Sequence, residues 1–258
     1  MKIKLSNFLY YKFFSLPEIQ ISSNDQIMKR FIAVVPQKHL WSEGHVSHSE
    51  TTCIINTLVS IVNQAYIIGE HSMWKENIRT NPNDLKNKLS NEMIILLISV
   101  NEESERKEDE IEEISIDQDT VIGQILCDIN FDVNERRAEF GMFAVHEKYQ
   151  NLGLGKFLIL TAEERARNAG CESLQCELLS PTKYEHDVKA RLRVWYQKLG
   201  YEIELEKDKD GNAVLLEDGT EKSKDNFHSH CSISLEFAQI VTNLAVECKL
   251  EKLVKELL

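Results

Sequence analysis

Residues 139–156 run Glu139-Phe-Gly-Met-Phe-Ala-Val-His146 and then Glu147-Lys-Tyr-Gln150-Asn-Leu-Gly153-Leu-Gly155-Lys156. The first half is an apolar run of strand length, and the second leads into an alanine- and leucine-bearing helical stretch that stops at Gly170. A strand, a glycine-bearing turn and a helix in that order make a cradle for an anion. Gly153 and Gly155 remove the β-carbons that would hold a ligand off the main chain, and the helix start presents unpaired N–H groups and a positive dipole end. Pyrophosphate suits such a turn. The second glycine is followed by Lys156-Phe157 rather than Lys-Ser/Thr, which excludes a Walker loop, and the spacing is not that of a Rossmann fingerprint.

Working outward, Met93–Val100 and Val121–Ile129 are apolar, β-branched runs and read as a hairpin whose loop is an acidic block, 102–119. Residues 28–36 read as the first core strand, with 1–27 as an N-terminal extension. Ile54, Ile55, Leu58, Ile61, Val62, Ala65 and Ile68 recur at helical spacing between 48 and 68. A second helix starts at Asn81-Pro82, with Leu85 and Leu89 on one side. Downstream come a strand over 173–179, a helix over 187–199 and a strand over 201–205. That helix has Val188, Leu192, Trp195 and Leu199 on one stripe and stops at Gly200. Glu206 to Glu217 imitates a calcium loop at several positions, yet Asp210-Gly211 between strand-like runs signals a hairpin turn. Phe227–Phe237 reads as a last strand and 236–258 as a terminal helix. The expected fold is α/β, a mixed sheet covered by helices, in one elaborated domain over 28–235 that carries the acidic loop and an insertion at 206–226.

The chain has 258 residues, 42% hydrophobic and 28% charged, enough for one sizeable core. Its six cysteines form no C-x-x-C pair and no zinc-like spacing, which points to reduced thiols, no metal, and a cytoplasmic or nuclear compartment. The net charge is -12, and residues 102–119 hold ten acids against Arg106 and Lys107, so one solvated loop supplies most of it. No basic patch interleaved with aromatics points to nucleic acid. The basic start, interrupted by Asn7 and Lys12 and followed by no small-residue cleavage site, is not read as a signal peptide. No apolar run approaches the roughly 20 residues that span a bilayer, so a soluble chain with no membrane partner is expected.

The spacing Gln150-x-x-Gly153-x-Gly155 resembles the acetyl-CoA-binding signature of the GNAT superfamily of N-acetyltransferases, and the element order over 28–235 is similar to that superfamily's fold. Within it, Asn63, Ala65, Tyr66, Glu70, Met73-Trp74 and Arg79-Thr80, with Glu177-Leu-Leu179, Pro181, His186, Lys189 and Trp195-Tyr196, resemble a largely fungal subgroup. The acidic loop, the insertion and the terminal helix depart from the compact pattern.

The resemblance implies acetyl-CoA as cosubstrate, no metal, and direct transfer of an acetyl group in a ternary complex to a primary amine on a small molecule or peptide. It places main-chain N–H groups of Phe143, Ala144 and Val145 on the thioester and pantetheine. Gln150, Asn151, Leu152, Gly153, Leu154, Gly155 and Lys156 fall on the pyrophosphate. Tyr196 aligns with a general acid: an ordinary phenol, with pKa near 10, stays protonated and donates to the departing sulfur. It is rotated about 100° from the stripe of Trp195. Glu139, eleven residues before Gln150, matches a general base. A base matters most for an alkylamine, which is neutral in only about one molecule in 2,500 at pH 7. Tyr66, Glu70, Trp74 and Arg79, with His186, fall where the superfamily builds its acceptor wall, an aromatic and a carboxylate suiting an amine. The alternative is a non-catalytic acyl-CoA-binding or protein-interaction module on the same fold.

Overall fold

The computed structural model describes residues 2–4, 8–15, 29–41, 48–76, 78–101, 113–206, 208–210, 212–214, 244–246 and 248–257. In chain order the elements are β1 (Lys2–Lys4), β2 (Phe8–Ser15), β3 (Lys29–Pro36), α1 (His48–Gly69), α2 (Pro82–Ser90), β4 (Ile94–Asn101), β5 (Glu113–Ser115), β6 (Val121–Asp132), β7 (Arg137–Val145), α3 (Leu154–Asn168), β8 (Ser173–Pro181), α4 (Asp187–Lys198), β9 (Glu202–Ile203) and β10 (Cys248–Glu256). They fall into two compact units. The first is Met1–Ala65, Ile78–Ile129 and Phe140–Gly170; the second is Tyr66–Asn77, Asn130–Glu139 and Cys171–Leu258.

In the first unit the strand order is β2-β3-β4-β6-β7. β2, β3, β4 and β6 pair antiparallel, the last pair in the expected hairpin with Ile94 opposite Leu126. Phe31 to Val35 and Ile94 to Ile98 are fully buried on both faces, which is why these strands read as continuous apolar runs rather than alternating ones. α1 buries Ile54, Ile55, Leu58, Ile61 and Val62, as its period predicts, whereas Ala65 is half-buried and Ile68, at the helix's end, is 60% exposed. Asn81 caps α2 by accepting from the N–H groups of Asn83 and Asp84, both at 3.0 Å, with Pro82 at the first position.

Two expectations about this unit change. Residues 1–27 are more than an extension: Phe8–Ser15 adds a strand to the sheet, and Lys2–Lys4 pairs with Glu113–Ser115 at the end of the acidic block. Residues 102–112 lie outside the described ones. The expectation that no stretch nears membrane-spanning length meets one exception, by length and composition alone, in Ser49–Gly69 of α1. Its inward stripe is nonetheless that of a core helix.

In the second unit the order is β7-β8-β10-β9. β7 and β8 pair in parallel from Arg137↔Ser173 to Glu139↔Gln175, which makes the sheet mixed. The expected terminal helix over 236–258 is corrected by β10, antiparallel to β8 over nine residues from Cys248↔Pro181 to Glu256↔Ser173. Leu250, Leu253, Val254 and Leu257 satisfy the helical period, but β8 is buried along nearly its whole length and leaves a row of ladder groups to be paired. Pairing overrides local preference. Cys248 and Leu250 then cluster with Met73 and Leu179, while Leu253 is buried on the other face. Residues 215–243, including the strand expected at 227–237, lie outside the described ones. The hairpin turn expected near Asp210 is present: the Asp208 N–H donates to the Asn212 carbonyl and Val214 to Glu206, both at 2.8 Å.

Helix α4 carries a second correction. Its buried residues are Lys189 and Tyr196, whereas Val188, Leu192, Trp195 and Leu199 are half-buried. The inward face includes charged positions because their partners come from elsewhere: Lys189 meets Glu70, and Arg193 meets Glu251.

Candidate functional site

The turn of the first unit is built by local bonds. His146 accepts the Lys148 N–H on Nδ1 at 3.2 Å and so caps the short 3-10 turn Glu147–Tyr149. Gln150 Nε2 donates back to the Val145 carbonyl at 3.0 Å. Two left-handed residues then flank Leu152: Asn151 at φ 63° and Gly153 at φ 80°. Gly153 is the N-cap of α3, and the helix's first bond runs from the Phe157 N–H to the Gly153 carbonyl at 3.0 Å. The N–H groups of Leu154, Gly155 and Lys156 therefore belong to the first turn and have no acceptor within the helix. A Cβ built at Gly153 meets nothing within 4 Å, so the turn's outer side is open. Leu154 is buried and ties the turn to the core, while Asn151 and Lys156 are exposed. The fit to a diphosphate is thus one of main-chain donors beside open space, with one lysine at hand.

The strand before the turn is distorted. Met142 adopts φ 43°, a conformation branched and bulky side chains avoid, immediately before Phe143, Ala144 and Val145. Gln124, fully buried on β6, donates from Nε2 to the Met142 carbonyl at 3.5 Å. Gly123 lets β7 come close: a Cβ there would lie 2.7 Å from the Ala144 carbonyl oxygen. The sequence reading missed both residues. Gly123 inside an apolar strand run was the available signal of close backbone approach.

The second unit holds Tyr196, 7% exposed, with its ring centroid 5.3 Å from Trp195 and 6.1 Å from Tyr201. Burial pushes its phenol well above 10, helped by Cys176 and Tyr66, so it is a proton donor throughout the physiological range. Burial likewise raises the Cys176 thiol well above its ordinary value, with Glu139 and Glu177 adding to the effect. Such a thiol is no nucleophile. Glu139 is half-buried and stands opposite Gln175, so it shares a sheet face with Gln175 and Glu177, and Cys176 lies on the other.

The expected acceptor residues divide. Glu70 is 4% exposed and already holds an amine: Lys189 Nζ donates to its Oε1 at 2.7 Å, and Trp74 Nε1 to its Oε2 at 2.5 Å. The carboxylate and the indole N–H of the expected acceptor wall are thus bonded to one another, with Lys189 as a third member. His186, also buried, is the N-cap of α4 without a side-chain capping bond; its Nε2 lies 3.3 Å from the His71 carbonyl and its ring 4.5 Å from that of His71. Tyr66 is half-buried. Arg79 belongs to the first unit, where its N–H and that of Thr80 donate to Asn63 Oδ1 at 2.9 and 3.0 Å. Among the described residues no group of three or more His, Cys, Asp or Glu side chains is placed to hold a metal.

Residues 91–201, from β4 through Tyr201, match the model of the Acetyltransferase (GNAT) family. The matched stretch contains the turn, Glu139 and Tyr196, and it supports the GNAT superfamily for this fold. Solved structures similar to the chain include an aminoglycoside 6'-N-acetyltransferase complexed with coenzyme A, at 13% identity, covering 79% of this chain and 91% of the other with a TM-score of 0.44. The yncA protein of Salmonella typhimurium with acetyl-CoA gives 14%, 91%, 95% and 0.43, and smu.2055 of Streptococcus mutans UA159 gives 14%, 79%, 94% and 0.45. No curated protein matches the chain.

Proposed function

We propose that this chain is an acetyl-CoA-dependent N-acetyltransferase that passes an acetyl group directly to a primary amine on a small molecule or peptide. The observation that carries the reading is the left-handed Gly153 at the start of α3, with open space where its side chain would be. In this reading the N–H groups of residues 153–156 receive the pyrophosphate of acetyl-CoA, with Gln150, Asn151, Leu152 and Lys156 shaping and charging the turn. Main-chain groups of Phe143, Ala144 and Val145 receive the thioester oxygen and pantetheine. Tyr196, held protonated, donates its proton to the sulfur as the thiolate leaves. Glu139 takes a proton from the ammonium form of the acceptor, which frees the lone pair for attack on the carbonyl carbon. The attacking nitrogen passes its second proton to the Tyr196 phenolate as the tetrahedral intermediate collapses and Glu139 later releases its own to water, so the products are an amide, the thiol of coenzyme A and one proton, with no enzyme-bound acyl group, consistent with the inert Cys176. Tyr66, Arg79 and His186 are assigned to the acceptor side, and the protein is assigned to the cytoplasm or nucleus.

The test pairs calorimetry with turnover. Acetyl-CoA binding in the micromolar range, and release of free thiol with at least one of a panel of polyamines, lysine peptides and N-terminal peptides, is the expected result. Absence of binding at millimolar acetyl-CoA refutes the reading. Binding without turnover on any amine identifies a non-catalytic acyl-CoA module instead.

A further inference from the structure

Two buried side chains define the inward face of α4: Lys189 and Tyr196, seven residues and two turns apart. Lys189 Nζ sits 2.7 Å from Glu70 Oε1, with the two side chains 6% and 5% exposed. Glu70 is fixed in turn by Trp74 Nε1 on its other oxygen and by its own N–H on the Tyr66 carbonyl at 2.8 Å. Tyr66, one turn earlier, lies near enough to Tyr196 to help raise the latter's phenol. The segment 66–74 and α4 are therefore joined by the Glu70–Lys189 ion pair, with the phenol of Tyr66 near that of Tyr196.

A buried ion pair is a poor stabiliser. Desolvating two charges costs about as much as their attraction returns, and an apolar pair of similar volume is often neutral or better. What the pair does supply is a single geometry, because neither charge tolerates sliding away from the other. We propose that Glu70 and Lys189 are positioning residues: the pair fixes the rotation of α4 and thereby aims the Tyr196 hydroxyl. The inference rests on the proposed acid role of Tyr196 for its catalytic meaning, but not for its geometry.

The test uses the full chain with three changes, Lys189→Met, Glu70→Gln and the apolar double variant Glu70→Leu/Lys189→Met. A 3-fluorotyrosine placed at position 196 reports the phenol's environment by fluorine NMR whether or not the protein turns over. One sharp resonance is expected in the parent chain. In the double variant, which keeps its fold because no lone charge remains, the resonance is expected to broaden or split while the melting temperature holds. In the thiol-release assay the same variant should lose kcat by about 10-fold or more, with acetyl-CoA affinity unchanged. Combined with Tyr196→Phe it should cause no additional loss, since a residue acting through Tyr196 has nothing left to act on.

A double variant with the parent's sharp resonance overturns the inference, and so does a kcat loss that multiplies with that of Tyr196→Phe. Should Lys189→Met fail to fold, the double variant still decides. A parent chain without turnover on any amine, together with the expected change in the fluorine signal, keeps the positioning role and removes the transferase reading.

Discussion

Replacing Gly153 by alanine separates the conformation of the turn from its occupant. The residue adopts φ 80°, and a new Cβ meets no atom within 4 Å, so the mutation adds no clash and costs only the left-handed backbone. For an L-residue that penalty is about 1–2 kcal/mol, reduced by the lower chain entropy of alanine in the unfolded state. A net loss near 1 kcal/mol lowers the melting temperature of a chain of this size by about 2–4 °C. Gly69 is the matched control: it too has nothing within 4 Å of an added Cβ, but its φ lies outside the left-handed range. Gly69→Ala should leave the melting temperature level or raise it slightly. Acetyl-CoA is then titrated into both variants by calorimetry. If the Gly153 methyl holds the phosphate away from even one main-chain donor, the loss is that of one charge-assisted hydrogen bond, about 1.5–3 kcal/mol, or about 10- to 150-fold in Kd. Identical melting temperatures for Gly153→Ala and the parent would refute the left-handed turn. A lowered melting temperature with unchanged Kd would keep the turn and refute the diphosphate.

Gly123→Ala pushes a methyl to within 2.7 Å of the Ala144 carbonyl, so backbone must shift; a loss of about 1–3 kcal/mol in urea unfolding is expected, with a higher KM for acetyl-CoA. Tyr196→Phe should lower kcat by about 10²- to 10⁴-fold and leave acetyl-CoA binding by calorimetry unchanged; full turnover would remove the tyrosine as the acid. Because the folded phenol titrates above its ordinary value, its contribution to stability is present below about pH 10 and lost as pH rises past that point, where the unfolded chain ionises first. The same variant should therefore flatten the fall in melting temperature between about pH 9.5 and 11. Glu251 runs the other way: burial opposes its charge, but hydrogen bonds from Arg193 and Ser180 and the charges of Arg193 and Lys249 bring its carboxyl below 4.5. Its contribution is present above that value and disappears as pH falls through the lower folded one, so Glu251→Gln should reduce the acid loss of stability measured by urea midpoints from pH 6 to 3.

What the sequence made legible follows from how local each signal is. The turn could be read because strand, glycines and helix are contiguous, and Asn81-Pro82 because a cap lies within three residues of what it satisfies. The β4–β6 hairpin survived the long acidic block because both strands open on short runs rich in β-branched apolar residues, the composition and length of buried strands. β10 was misread because its leucine spacing serves a helix and a strand equally; the deciding fact, an unpaired side of β8, lies about 70 residues away and has no local mark. Likewise the kink at Met142 has no signature of its own. Gln124 reaches its carbonyl from another strand.

The misreading of α4 has a different cause, and it bears on function. Period alone says which side chains share a face, and hydrophobicity is then used to choose the face that turns inward. That choice fails when an inward charge is matched from afar, and here Glu70 and Lys189 are separated by 119 positions. The helix is consequently rotated so that Tyr196, not Trp195, is the buried aromatic. A solvated tyrosine is already protonated at neutral pH, and burial of Tyr196 moves its phenol further from ionisation. The pair that makes α4 illegible to a hydrophobic pattern is thus the pair that shares the inward face with Tyr196, and the charge at Lys189 is the place to look first when turnover and folding respond differently to mutation.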